Sequence, residues 1–466
     1  MDGTSTQRED RHPAETYQDI LDRDTHPVPW ALRQECVPED IGVEAFSVDR
    51  YFSKAFFEHE LEHVWLKAWQ MACREEEIPN VGDYHIYENV GKSLLVVRTA
   101  PDEIKAFYNS CLHRGRKLAT SNGCKKEFRC PFHGFVWNVD GSFKENPIGW
   151  DFPQWSDRDM SLPQAKVGTW GGFVFINFDP ECPTLESVLA PLPEHFERWK
   201  LEQAYKAVHV AKVVKCNWKV AAEAFMESHH TVTTHPQLLP FLADANSQYD
   251  IFSDHITRHM SALGVPSPFV RDKNYDEDEI LRVMTSGSNR TAFDGEMKRP
   301  EGMGARAYLA MRMREVFSKL YDFDYSQISD AELVDSLLYN VFPNMSFWAG
   351  FGGSNTTYRW RPNGLDPESC IMEIILLRRI PKEGPRPAPV PVHWLSEEER
   401  FADAPELGLS AQIFDQDMGN MPFVQDGLHA SGSGVVHFGK YSEMRIRQMH
   451  RMIDRYIADG QAKSGA

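Results

Sequence analysis

Residues 111–133 read CLHRGRKLATSNGCKKEFRCPFH, and the reading of this stretch decides how the rest of the chain is understood. Cys111 and His113 form one pair, and sixteen residues further on Cys130 and His133 form a second. Each pair puts a soft thiolate and an imidazole on one short loop, the donor set of zinc or of an iron–sulfur centre. Spacing alone leaves both open, and a zinc knuckle is the plainer of the two. The choice depends on whether the other residues can use electrons.

Short β runs flank the motif at 84–87, 93–97, 104–108 and 135–139, the last entering a turn at Asp140-Gly141, and 172–177 adds another apolar strand. A small all-β domain of residues 64–178 is therefore expected around it. Upstream, residues 1–45 are polar and Pro-containing, an arm laid over another surface. Ser53 is placed to cap a helix with Phe57, Leu61, Val64, Trp65 and Ala68 on one face. Residues 1–63 are expected to pack on the second domain, 179–466. That domain opens with a strand at 207–214 and a helix start at Asn217. It continues with strands near 337–347, 356–361 and 371–379, then a helix at 441–457 with Met449, Met452, Ile453 and Tyr456 on one face. Residues 240–330, rich in Gly, Ser and charge at 286–304, read as a mobile cover. The run PKEGPRPAPVPV at 381–392 reads as an extended connector.

A length of 466 residues suits two or three domains. The net charge of −18 is spread along the chain, which argues against nucleic acid or an anionic membrane as partner. No apolar run approaches ~18 residues, and the polar start MDGTSTQREDRH carries no signal-like segment, so a cytoplasmic location is expected. Eight cysteines without a dense framework suit a reducing compartment, leaving Cys36, Cys73, Cys124, Cys182, Cys216 and Cys370 as ordinary thiols. No nucleotide-binding glycine fingerprint is evident.

A second constellation lies at 217–236, NWKVAAEAFMESHHTVTTHP. Its first half is a good helix by propensity. Glu227 and His230 stand three apart and would share a helix face. His235 lies five beyond His230, so a regular helix would separate them by about 140°. The β-branched run Thr231–Thr234 and Pro236 supply a reason for the helix to end or bulge there. His229, about 100° round from His230, reads as a bystander. Two histidines and a remote carboxylate make the donor set of non-haem iron(II). A zinc hydrolase with Glu227 as base is the competitor, weakened by the lack of HExxH spacing. The best carboxylate candidates lie in IFDQDMGNMPFVQDGL at 413–428, with Asp417 preferred and Asp415 as fallback.

Together these residues resemble the large (α) subunits of Rieske ring-hydroxylating oxygenases. Cys111-x-His113-x₁₆-Cys130-x₂-His133 resembles their [2Fe–2S] motif, and 217–236 resembles their iron motif, in the same order and separation. The resemblance implies an α+β protein, an all-β Rieske domain joined to a helix-grip domain with a curved antiparallel sheet. It implies that Cys111 and Cys130 hold one cluster iron and His113 and His133 the other, while His230, His235 and Asp417 hold a mononuclear iron(II). Asp417 is favoured over Asp415 by its register with Gln425 in the QDGL segment. Glu227 takes the bridging-acid position, with Glu for the more usual Asp, and His229 stands where Tyr is common. The resemblance further implies O₂ as co-substrate and electrons from NAD(P)H, passed through a separate ferredoxin or flavin reductase. A homotrimer is implied, with or without small β subunits, in which electrons cross between subunits. An apolar substrate, aromatic by preference, is expected in a pocket for which Met226, Leu238, Leu239, Phe241, Phe347 and Phe351 are candidates. Two alternatives remain: a Rieske electron carrier or binding protein lacking the catalytic iron, and a zinc protein.

Overall fold

The computed structural model describes residues 15–270, 273–293 and 297–464. Seven antiparallel strands form the first sheet, in the order Gln70–Arg74, Phe173–Asn177, Gln164–Trp170, Glu103–Tyr108, Lys92–Ala100, Asp83–Asn89, Gly123–Cys124. A three-stranded sheet, Glu127–Arg129, Val136–Asn138 and Phe143–Glu145, folds beside it. The 84–87, 93–97 and 104–108 runs lie within these strands, and 172–177 does so from Phe173 on.

The second sheet has eight strands, in the order Gln248–Ile251, Ile256–Ser261, Ser336–Val341, Met345–Trp348, Asn355–Asn363, Asp366–Arg379, Ala204–Val214, His393–Leu395. All pair antiparallel except His393–Leu395, which runs parallel to Ala204–Val214 at the edge. Asp366–Arg379 is buried on both faces through its centre, which explains its nearly unbroken apolar run. Glu373 interrupts that run and is held by Arg359, whose guanidinium also donates to the carbonyls of Met71 and Ala72 in the first sheet. This one arginine ties the two sheets together.

Three helices cover one side of the eight-stranded sheet: Trp218–Glu223, Ala411–His429 and Met444–Ser464. Ala221 and Ala222 let the first approach the sheet closely, and Met452 and Ile453 of the last are fully buried, worth ~1.5–3 kcal/mol each. Ser53 accepts the Phe56 N–H and starts the helix Lys54–Glu60 as expected. That helix then loosens into a π-helical turn, Leu61–Trp65, which seats Trp65 edge-on against Trp218, ring centroids 5.1 Å apart. The arm lies along the edge of the same sheet: Gln18 donates to Gln248 (2.8 Å), and Arg258 donates to the Ala31 and Gln34 carbonyls. Its first fourteen residues lie outside the described residues.

Several expectations are corrected. The 337–347 strand is a hairpin of two strands, because the turn at Phe342-Pro343-Asn344 includes a residue with no N–H to give the ladder. Residues 240–330 are not a cover. They contain two strands of the sheet and the helices Glu277–Gly287 and Ala305–Leu320, whose Met284, Leu309 and Met313 are buried in the largest core cluster. Within 286–304, Asn289 donates to Leu407 O and Arg290 to Asn355 Oδ1, which pins the Gly/Ser-rich stretch to the body. Among the described residues no helix is long and apolar enough to cross a membrane.

Candidate functional site

The two Cys/His loops are built alike. In one, the Cys111 N–H donates to Arg116 O and the Gly115 N–H to Cys111 O; in the other, the Cys130 N–H donates to Phe135 O and the Gly134 N–H to Cys130 O. Each loop closes on a glycine with positive φ, 74° at Gly115 and 78° at Gly134, where a side chain would be strained. Cys111 and Cys130 are buried, and burial together with the facing Cys130 thiol pushes the Cys111 thiol up. The His113 and His133 rings lie 4.7 Å apart, and His113 stacks on Phe135. His113 Nδ1 is buried with no hydrogen-bond partner among the described residues. A pair of buried thiols and a pair of imidazoles, one with an orphaned nitrogen, fit a [2Fe–2S] group and leave an interior cost unanswered without one. Arg114 lies over Phe132 and 3.1 Å from His133 Nε2, at the exposed edge of the pair.

The second constellation forms by a different route from the expected helix face. The helix Trp218–Glu223, capped by Asn217, ends earlier than the sequence suggests. Glu227 and His230 therefore meet across a turn, and Thr231–Thr234, expected to break the helix, is itself a short helical turn that brings His235 back. Asp417 reaches the same point from the helix Ala411–His429. Its Oδ1 lies 2.7 Å from His235 Nε2 and 3.5 Å from His230 Nε2. One ligand atom from each of His230, His235 and Asp417 lies within 4.8 Å of the others.

The outer nitrogens are already engaged. His230 Nδ1 is 2.5 Å from Glu227 Oε1, and His235 Nδ1 is 2.9 Å from Gln416 Oε1. Nδ1–H donation to these oxygens leaves both Nε2 lone pairs facing Asp417, which is how metal-binding histidines are commonly oriented. Such a donor set, two imidazoles and one carboxylate, fits iron(II). Burial works to raise the Glu227 carboxyl, but hydrogen bonds from His229 and His230 outweigh it and hold the group far below the usual range. His229 is thus more than a bystander. It stands outside the trio, half exposed, with Nδ1 2.9 Å from Glu227 Oε2. Asp415 is excluded from the trio: it accepts the N–H groups of Phe401 (2.6 Å) and Ala402 (3.1 Å).

A cavity of about 150 Å³ opens onto His230, His235 and Asp417. Phe225, Leu238, Phe241, Trp348, Tyr358 and Phe414 form its apolar wall. Leu238 and Phe241 were expected there; Met226, Leu239, Phe347 and Phe351 are buried in the core instead. Phe347 packs on Phe173 and Phe196, and Phe351 on Phe323. Adjacent residues on a strand face opposite sides, so it is Trp348, one place on, that reaches the cavity. Nothing in the sequence marks Gln416, whose role depends on where His235 comes to rest.

Comparison with known proteins places these features in a family. The Ring hydroxylating alpha subunit (catalytic domain) model matches residues 194–459, and the Rieske [2Fe-2S] domain model matches residues 68–155. The carnitine monooxygenase oxygenase subunit of Escherichia coli (strain K12) is 32% identical over 199 residues, 40% of this chain and 50% of that one. Biphenyl 2,3-dioxygenase subunit alpha of Rhodococcus jostii (strain RHA1) is 31% identical over 191 residues, 40% of this chain and 42% of that one. The chain thus spans about half the length of the curated relatives it matches. Among solved structures, a quaternary ammonium Rieske monooxygenase superposes with a TM-score of 0.62 at 18% identity, covering 91% of this chain and 99% of that one, a likeness of fold.

Proposed function

Because the chain belongs to the ring-hydroxylating α-subunit family, we propose that it is the terminal oxygenase of a multicomponent Rieske system. The observation that carries this is the meeting of His230, His235 and Asp417 at the mouth of an apolar cavity; a Rieske electron carrier would have no use for it. In this reading residues 64–178 form the Rieske domain and 179–466 the catalytic domain, with 1–63 packed on the latter. Cys111, His113, Cys130 and His133 hold the cluster. When bound, the cluster would supply electrons derived from NAD(P)H through a reductase, and the iron(II) would supply the site at which O₂ is activated.

The chain's own residues do the rest. Glu227 and Gln416 fix the two imidazoles, so that neither must reorient when the metal is loaded. Glu227 also carries the bond to His229 at the surface, the route by which a neighbouring subunit's cluster would be felt. The aromatic wall excludes water from the cavity and receives the substrate.

That substrate is compact and neutral. About 150 Å³ suits a single six-membered ring, the size of an apolar cavity that takes up benzene. Among the described residues no Lys or Arg lines the cavity, so a carboxylate would go unanswered, and both acids there are already paired. The Arg290 guanidinium lies 5.7 Å from the Trp348 ring centroid, so a quaternary ammonium stacked on that ring would compete with a cation already in place. Carnitine-type substrates therefore fit this cavity less well than an uncharged ring, although relatives carry such names.

The test is turnover under ¹⁸O₂ with a generic reductase and a panel of one-ring, carboxylated and quaternary ammonium compounds, read by mass spectrometry, alongside iron analysis. About three irons per chain and label in a neutral ring product are expected. Two irons and no label with any compound would return the chain to the electron carriers.

A further inference from the structure

Behind the cavity wall runs a chain of hydroxyls whose directions can be assigned in turn. Ser228 Oγ donates to the Asp244 carbonyl (3.0 Å), so it accepts from Ser247 Oγ and from Tyr249 OH, each 2.9 Å away. The Tyr249 oxygen in turn accepts the Ser228 N–H (3.2 Å). Ser247, its proton committed to Ser228, accepts from Ser261 Oγ at 2.6 Å. Ser261 then accepts from His259 Nε2 at 2.8 Å. Every hydroxyl proton is spoken for, and the proton of a neutral His259 is fixed on Nε2 with the lone pair on Nδ1.

That lone pair has no partner among the described residues. His259 is 6% exposed, stacks at 6° on Tyr249, and lines the cavity. On the strand Ile256–Ser261 it shares its face with Ser261, which also lines the cavity. Burial and the Arg445 charge push its imidazole well down, so it stays neutral and keeps the acceptor. Buried acceptors in folded proteins are almost always answered, and among the described residues nothing answers this one.

We propose that His259 is a specificity-determining residue, whose Nδ1 accepts a hydrogen bond from a hydroxyl or N–H group of a compact, neutral substrate. The assignment rests on the reading of the cavity as an oxygenase's substrate site. It narrows that reading: an uncharged ring bearing a donor is preferred to a hydrocarbon of the same shape.

The test is anaerobic calorimetric titration of the metal-loaded protein with benzyl alcohol and with ethylbenzene, its near-isostere. The alcohol-to-hydrocarbon ratio of Kd values is compared between wild type and His259→Phe, which keeps the ring and the stack. A change of about tenfold against the alcohol is expected, the worth of one hydrogen bond, with iron content unmoved and Tm lowered only by the loss of the His259–Ser261 bond. His259→Gln, which retains an acceptor, should recover part of the preference. An unchanged ratio in the Phe variant, or no binding of either compound to wild type, overturns the assignment. Should the Phe variant fail to fold, benzyl alcohol against its methyl ether on wild type decides it, equal binding overturning the proposal. Oxygen incorporation is read separately. The expected binding pattern with no label in any ligand would remove the oxygenase reading and leave His259 standing; label with an unchanged ratio would remove only His259.

Discussion

Asp415 and Asp417 stand two positions apart on one helix and so face about 200° apart. Asp417 is 3% exposed and turned to the imidazoles, while Asp415 caps the turn that begins at Phe401. Their replacements should separate cleanly. Asp417→Ala removes the one carboxylate of the trio, so iron content should fall by about one per chain and turnover should vanish, with the cluster's visible spectrum intact. Asp415→Ala should keep all its iron and lose ~1 kcal/mol of stability, the usual worth of such a cap. Metal analysis with thermal melting reads both, and equal iron loss from the two would undo the assignment of Asp417. The sequence named both acids and preferred Asp417, which the fold does bring to His230 and His235; the supporting register with Gln425 came from the family resemblance. It set His229 aside as a ligand, and the trio does leave it out, but its contact with Glu227 was not foreseen, because the angle assigned to that residue assumed a helix continuing past Glu223. Gln416 was not legible at all, since an amide beside an aspartate becomes an imidazole partner only once the fold has chosen His235 for it.

Elements show the same division between what pattern fixes and what packing fixes. Strand positions followed from alternation and β-branched content, but strand phase did not: Phe347 and Trp348 are equally apolar, and only the sheet's neighbours decide which faces the core. The helix Trp218–Glu223 was legible from its cap and its alanines, yet its length was set by what it buries. Lys219 is fully buried against Glu60 (2.8 Å). Glu223 accepts from Tyr51 OH and pairs with His450 Nε2, each at 2.9 Å. Burial raises the Glu223 carboxyl from 4.5 to about 8, against the opposing pull of Tyr51 and Lys219. Its folded pKa lies above its unfolded one, so between about pH 4.5 and 8 the folded state binds more protons and stability falls as pH rises. Glu223→Gln keeps the oxygen that Tyr51 needs and removes the charge. It should flatten that fall and gain ~2–4 kcal/mol at pH 8 over wild type, with little difference at pH 5. Melting curves of both proteins across this range check it; parallel pH profiles would mean the carboxyl is not protonated in the fold.

At the scale of the molecule, the two metal sets belong to two different sheets. The Cys/His loops present His133, Phe132 and Arg114 at an exposed edge of the first sheet's domain. The trio lies inside the second, with Glu227 and half-exposed His229 as its outward connection. The first domain was readable from strand content, while the second domain's fold and the way copies of the chain meet came only with the family resemblance, because no pattern in one chain encodes a surface that only a second chain completes. If electrons pass from one subunit's edge to the next subunit's Glu227 in a closed ring, two broken chains should repair each other. Cys130→Ser lacks the donor and Asp417→Ala the acceptor, and each alone should be inactive. Co-assembled in equal amounts, a junction works only where an intact loop pair meets an intact trio, a chance of one half for each, giving about a quarter of wild-type turnover. Transfer within a single chain gives none, since every chain in the mixture is broken at one end. Turnover of the unfractionated co-expressed mixture measures this directly, with two tags used to confirm co-assembly. A co-purified assembly with both variants present and no activity would place both ends of the electron path in one polypeptide.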